Sequence, residues 1–327
     1  MSKTMNKKKG TALSAVKLWL NEHNIIYAVV FLAIILTFVS RKFLTLDNMM
    51  NILRQTSMVA IIAVGAFYTI VGGGIDLSSG AVAGISGIMF AKMVAEWRLS
   101  PLVAIVLTML FGCILGIVNA ATAAFGGIPP FIATLGMQIA CRGLCFVITN
   151  AYPVTGIPDS IDFIGRGYLW VFPIPVLISI VVFLIMSFIA NKTRFGRSVY
   201  AVGSNEDAAH FSGINTKLVK ATTFVIAGLM ASVAAIILTS RVESGQPNGG
   251  LGWELDAITA AAIGGVSITG GRGNLFGVFL GALFVGMLTN GMTLMNMNSY
   301  HQQIVEGIVL VLAIGIDVFR TNRASRV

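Results

Sequence analysis

Runs of about 20 apolar residues recur along the chain, and a run of that length crosses a bilayer as a single helix. The first is Ile25–Ser40. Others follow at about 48–71, 80–95, 101–124, 131–149, 168–190, 220–240, 255–271, 275–295 and 303–319. Lipid-facing β-strands alternate apolar and polar residues, and these runs do not. The expectation is an all-α polytopic membrane protein with about ten transmembrane helices, some broken or re-entrant. Charge agrees: only 11% of the 327 residues are charged and 56% are hydrophobic, whereas a soluble domain carries about 25% charged residues. A soluble enzyme, a nucleic-acid binder and a disordered scaffold are excluded.

The basic residues set the orientation. Residues near the ends of spans retain an excess of Lys and Arg on the cytoplasmic side. With the N-terminus inside and alternating spans, the inside receives Lys3, Lys7, Lys8, Lys9, Lys17, Lys192, Arg194, Arg197, Lys217, Lys220, Arg272, Arg320, Arg323 and Arg326. The outside receives Arg41, Lys42, Arg98, Arg166 and Arg241. Ten spans with both termini cytoplasmic fit this bias, and the net charge of +9 needs no nucleic acid. Residues 1–24 read as a basic cytoplasmic tail, with Leu13, Val16, Leu20 and Trp19 forming an interfacial helix over Thr11–Asn21. VSRKF after the first run has no small-residue cleavage site, so that run reads as an uncleaved anchor. Residues 25–319 form the membrane domain and 320–327 a second basic tail.

Three stretches inside apolar territory cannot be regular helix: VGGGIDLSSG (71–80), GGIPPF (126–131) and GGVSITGGRG (264–273). Unwound backbone at membrane depth survives only when buried in protein or lining a polar cavity. Polar side chains beside the breaks are therefore candidates for a translocation pathway: Asp76, Ser78, Asn119 and the stripe Thr134, Gln138, Arg142, spaced by four. Glycines at the same spacing, Gly80 and Gly84, Gly112 and Gly116, and Gly273, Gly277 and Gly281, predict close helix packing within the chain. Cys113, Cys141 and Cys145 all lie in apolar runs and form neither a disulfide framework nor a metal set.

The segment 191–219 is the most polar in the chain. Lys192, Arg194 and Arg197 mark its entrance, and Gly203 is expected to break the chain. Ser204 or Asn205 can act as an N-cap, with Glu206 and Asp207 in a first turn that favours negative charge. Ala208, Ala209 and Phe211 offer a small apolar surface. Gly213 can close the helix in the left-handed region. The pattern predicts a surface helix over Asn205–Ser212.

No catalytic or metal constellation is apparent. Glycine is nowhere followed by lysine, so a phosphate-cradling P-loop is absent, as are H-E-x-x-H and G-x-S-x-G. The energy for transport would come from elsewhere.

Four motifs, GGGIDLSSG (72–80), TLGMQIACRGL (134–144), NKTRFGRSVYAVGSNEDAAHFSGI (191–214) and ELDAITAAAIGGVSITGGRG (254–273), resemble in order the permease subunits of bacterial ABC sugar importers of the ribose, galactose and xylose type. Relatives usually read GIDLSVGS in the first motif, where this chain has Ser79 and Ala81, and many carry a neutral residue in place of Arg272. The resemblance implies a multi-pass protein of the bacterial inner membrane and a second permease copy or homologue, with a homodimer expected. It also implies a cytoplasmic ATP-binding subunit that holds the ATP, and a periplasmic binding protein that delivers a monosaccharide. No cofactor is expected in this chain. EDAAHFSGI matches the coupling segment of such permeases, with Ala208 and Ala209 in a groove of the ATPase. The outward segments 150–167 and 241–254, bearing Asp159, Asp162, Glu243 and Glu254, are expected to meet the binding protein. An ion-gradient-driven carrier of a small polar solute is the alternative, with Asp76, Arg142 and Glu306 as its possible coupling groups.

Overall fold

A computed structural model describes residues 25–324, so the interfacial helix expected over Thr11–Asn21 and the rest of the N-terminal tail lie outside the described residues. The described chain is helical, in the order α1 (Ile25–Val39), α2 (Leu46–Val71), α3 (Ser79–Ala95), α4 (Pro101–Ala120), α5 (Pro130–Thr149), the short α6 (Asp162–Arg166), α7 (Ile174–Lys192), α8 (Arg194–Ser204), α9 (Glu206–Phe211), α10 (Thr216–Val242), α11 (Trp253–Ile263), α12 (Leu275–Leu294) and α13 (Ser299–Ala324). One hairpin, β1 (Tyr168–Leu169) and β2 (Phe172–Pro173), pairs Tyr168 with Pro173 and Leu169 with Phe172. Among the described residues, α2, α4 with its extension to Phe125, α5, α7, α10 and α12 are long and apolar enough to cross a membrane. The run at 168–190 is therefore not one helix. Its first six residues turn back as the hairpin, and Pro175 opens α7 in the first turn, where its missing N–H costs nothing. The run at 255–271 is also divided: helix ends at Ile263 and irregular backbone follows to Asn274.

The centre is α10, packed on α2, α3 and α4. Helix α2 is buried almost all round from Thr56 to Val71. α12 packs on α2 and α11, and α13 rests on α11. The outer helices each keep one apolar face open. On α4 it is Leu102, Val106, Leu110, Ile114 and Ile117, spaced by three or four; on α7 it is Ile180, Val181, Leu184, Ile185 and Phe188. Such stripes are costly in water and natural in lipid.

The glycine faces act inside the chain, as their spacing predicts. A Cβ on Gly112 would stand 2.6 Å from the Cβ of Ser232, and one on Gly116 would stand 2.7 Å from the Cα of Val225. Helices α4 and α10 thus cross with backbones in contact, the geometry that small residues permit.

Candidate functional site

The break after α2 places a polar seam in the middle of the bundle. The Gly74 amide N–H donates back to the Thr69 carbonyl (2.8 Å), and the chain then runs irregularly to Ser78. Asp76 is buried. Its Oδ1 accepts from the Ser78 N–H (2.8 Å) and the Ser78 hydroxyl (2.6 Å). Asn119, on α4, donates its Nδ2 to Ser78 Oγ (2.7 Å). Thr134, on α5, accepts from the Leu77 N–H (3.1 Å) and donates to the Pro130 carbonyl (2.8 Å). Two backbone N–H groups freed by the break are thereby satisfied by side chains, that of Leu77 by Thr134 on α5 and that of Ser78 by Asp76 within the break, which is what unwound chain at membrane depth requires.

The stripe on α5 continues the seam. Gln138 donates Nε2 to Oε1 of Glu254 (2.7 Å). Arg142 donates Nη1 to the carbonyls of Pro247 (3.0 Å) and Gly249 (2.9 Å). All six pathway candidates therefore lie along one belt formed by the start of α3, α4 and α5. Asp76, Ser78, Asn119 and Thr134 are buried; the side chains of Asp76, Ser78 and Asn119 hydrogen-bond in a chain, and Thr134 bonds the backbone beside them. Three buried atoms of the belt have no partner among the described residues: Asn119 Oδ1, Arg142 Nη2 and Glu254 Oε2.

Glu254 and the segment before it are corrected from their sequence-based placement. Residues 244–250 return into the bundle and are largely buried. Gly245 exchanges two backbone hydrogen bonds with Val154 (2.9 and 2.8 Å), and Arg142 holds the next turn. Glu254 opens α11 and is only 4% exposed, so it is no part of an outward docking loop. Asp159 is exposed. Asp162 is half-buried at the start of α6, with Oδ1 enclosed and unpartnered. Sequence reasoning also missed Asp256. With Glu254, Thr259, Gln303 and Glu306 it lines a cavity of about 360 Å³ between α11 and α13. Two acids two residues apart at the head of an apolar run were the available signal.

At the same end of α2, beside Val71, lies the polar segment. Helix α8 is capped by Thr193, whose Oγ1 accepts from the Gly196 N–H (3.1 Å). Asn205 caps α9 by accepting from the Ala208 N–H (2.9 Å), and Asn215 caps α10 by accepting from the Leu218 N–H (3.0 Å). Glu206 and Asp207 occupy the first turn of α9. Gly213 closes it at φ +84°, with the Ile214 N–H donating to the Ala209 carbonyl (3.1 Å). An ion pair from Glu206 to Lys220 ties α9 to α10.

Two expectations for this segment change. Gly203 does not break the chain: α8 runs through Ser204, and the break falls at Asn205. Gly203 is needed for contact instead, since a Cβ there would strike the Val71 carbonyl and stand 2.7 Å from the Gly271 nitrogen. Ala209 is buried against the protein itself, while Ala208 is exposed and Phe211 is 88% exposed. Ala209 therefore presents no surface to a partner; the exposed side chains of α9 are those of Glu206, Asp207, Ala208, His210 and Phe211. Around Gly203 the broken segments meet. The Gly271 N–H donates to the Val71 carbonyl (2.9 Å), the Tyr200 hydroxyl to the Gly273 carbonyl (2.9 Å) and the Ser204 hydroxyl to the Gly271 carbonyl (3.4 Å).

A bundle of lipid-facing helices, with buried broken segments joined by a polar belt and tied at one end to a capped polar segment, defines a multi-pass membrane permease. The chain belongs to the family described as "Branched-chain amino acid transport system / permease component", whose family model matches residues 48–314. It is 40% identical over 305 residues to the ribose import permease protein of Escherichia coli K12, covering 92% of this chain and 95% of that one. It is 40% identical to the ribose import permease protein of Bacillus subtilis 168, over 88% of this chain and 89% of the relative. It is 36% identical to the D-allose transport system permease protein of Escherichia coli K12, over 84% of each chain. No solved structure matches it.

Proposed function

We propose that this protein is the membrane-spanning permease subunit of an ATP-driven ABC importer that moves a monosaccharide across the bacterial inner membrane. The observation that carries this reading is the likeness, over nearly the whole chain, to permeases named for ribose and D-allose. The ion-gradient alternative has no such support.

In this reading the chain spans the membrane ten times with both termini cytoplasmic, divided as 1–24, 25–319 and 320–327. The bias of Lys and Arg supports that arrangement. The coupling segment 191–219 meets the ATP-binding subunit through Asp207, Ala208 and Phe211, and ATP is held by that partner. The opposite end, with residues 150–167, receives the sugar-binding protein, and a second permease copy completes the assembly. The solute passes beside the belt of Asp76, Ser78, Asn119, Thr134, Gln138 and Arg142. The unpartnered atoms of Asn119, Arg142 and Glu254 leave hydrogen-bonding capacity that the hydroxyls of a neutral sugar can use.

Proteoliposomes holding the permease with its ATPase, given binding protein and labelled pentose or hexose, test this. Uptake is expected to require ATP and to persist when ionophores collapse the ion gradients. Uptake that stops with the gradients while ATP and the ATPase remain would overturn it.

A further inference from the structure

Five consecutive side chains between α6 and α7 stand clear of the protein. Tyr168, Leu169, Val171 and Phe172 are about half exposed, and Trp170 is 93% exposed. They form the β1–β2 hairpin, whose two-residue connection is Trp170–Val171. Tight hairpin turns favour Asn or Gly where φ is positive, yet Trp170 is held there at φ +59°. The base is firmly fixed. The Arg54 guanidinium lies 4.5 Å over the Tyr168 ring, the Ile174 N–H donates to the Gly167 carbonyl (2.9 Å), and Pro173 is buried. A fixed hairpin that carries a tryptophan at its tip against local preference points to something the tip touches.

We propose that this hairpin is an interfacial anchor whose tip, led by Trp170, lies in the lipid headgroup layer. The depth follows from α7. Its 19 residues span about 28 Å, close to the hydrocarbon thickness of about 30 Å. Lys192, at one end, belongs in the water layer. Ile174, at the other, then stands at the opposite hydrocarbon boundary, and the hairpin just before it falls among the headgroups. No Asp, Glu, Lys or Arg occurs from Tyr168 to Ala190. Tryptophan and tyrosine suit that layer because an apolar ring carries a polar edge. A soluble partner is less well matched. Docking faces of that kind use charged rims to steer association, and the nearby Arg166 and Glu243 are already paired with each other. Since α7 leads through Thr193 into α8, the anchor also fixes the depth of the segment around Gly203.

The test is depth-dependent fluorescence quenching. The full chain with Trp19→Phe, Trp97→Phe and Trp253→Phe, leaving Trp170, is reconstituted in phosphatidylcholine vesicles. The lipid is brominated either next to the headgroup or at mid-chain, and iodide is added separately to the buffer. Bromine near the headgroup is expected to remove more than half of the emission, with mid-chain bromine and iodide both weaker. Dominant quenching by iodide would place the tip in water, and dominant mid-chain quenching would place it too deep. Insensitivity to all three would mean that protein covers it. Each of these overturns the proposal. If the triple variant does not fold, the same depth profile is read as the difference between the native chain and Trp170→Phe.

Discussion

Thr134 shows how much one side chain holds at the break. Its hydroxyl accepts from Leu77 and donates to Pro130, so Thr134→Val keeps the shape and strands a half-buried N–H. Leaving such a group unmatched costs about 1–3 kcal/mol. The thermal midpoint of the purified permease should fall for Thr134→Val and largely recover for Thr134→Ser; a valine variant that melts like wild type would remove Thr134 from this role. Gln138→Leu should act similarly, because it strips Glu254 of the partner of its Oε1. The stripe Thr134, Gln138 and Arg142 was legible from its spacing alone. Its partners were not, because Pro247, Gly249 and Glu254 lie more than 100 residues away and only the fold brings them there. Gly203 was misread for a related reason: a glycine that ends a helix and one that lets another backbone approach look the same in sequence.

Among the elements, α9 was the most readable. Its cap, its acidic first turn and its closing glycine are local rules, and all three hold at Asn205, Glu206 with Asp207, and Gly213. Which side of so short a helix faces inward is a tertiary matter, so Ala208 and Ala209 could not be told apart. Asn205→Ala should destabilise α9 by about 1 kcal/mol, seen as faster amide exchange over residues 206–211, and Asn205→Asp should restore protection. Unchanged exchange in the alanine variant would show that the cap contributes nothing. Phe211→Asp, on the exposed face, should release the ATPase in a pull-down while the permease inserts and melts normally. Retention of the ATPase would move the docking surface elsewhere. The hairpin and the buried return at 244–250 escaped sequence reading because an apolar run does not reveal its own pairing partners.

At the scale of the whole molecule, the two ends of α2 organise everything else. One end holds Val71, Gly203 and Gly271 together. The other carries Arg54 over Tyr168 and Asn51 against Arg241 (3.3 Å). In a chain freed of its three cysteines, Phe211→Cys and Asp159→Cys, both at exposed positions, should react with an impermeant maleimide from opposite sides of sealed vesicles. Labelling of both from one side would overturn the proposed topology. The short α11 has a further consequence, one for biosynthesis. Its 11 residues extend only about 16 Å, and its first turn carries Glu254 and Asp256, acids that are costly to place in lipid. It cannot partition from the translocon into lipid on its own. Helices α10 and α12, which are long and apolar enough to enter, must leave together and carry the segment between them, so the polar belt is completed only as the second half of the chain emerges from the ribosome.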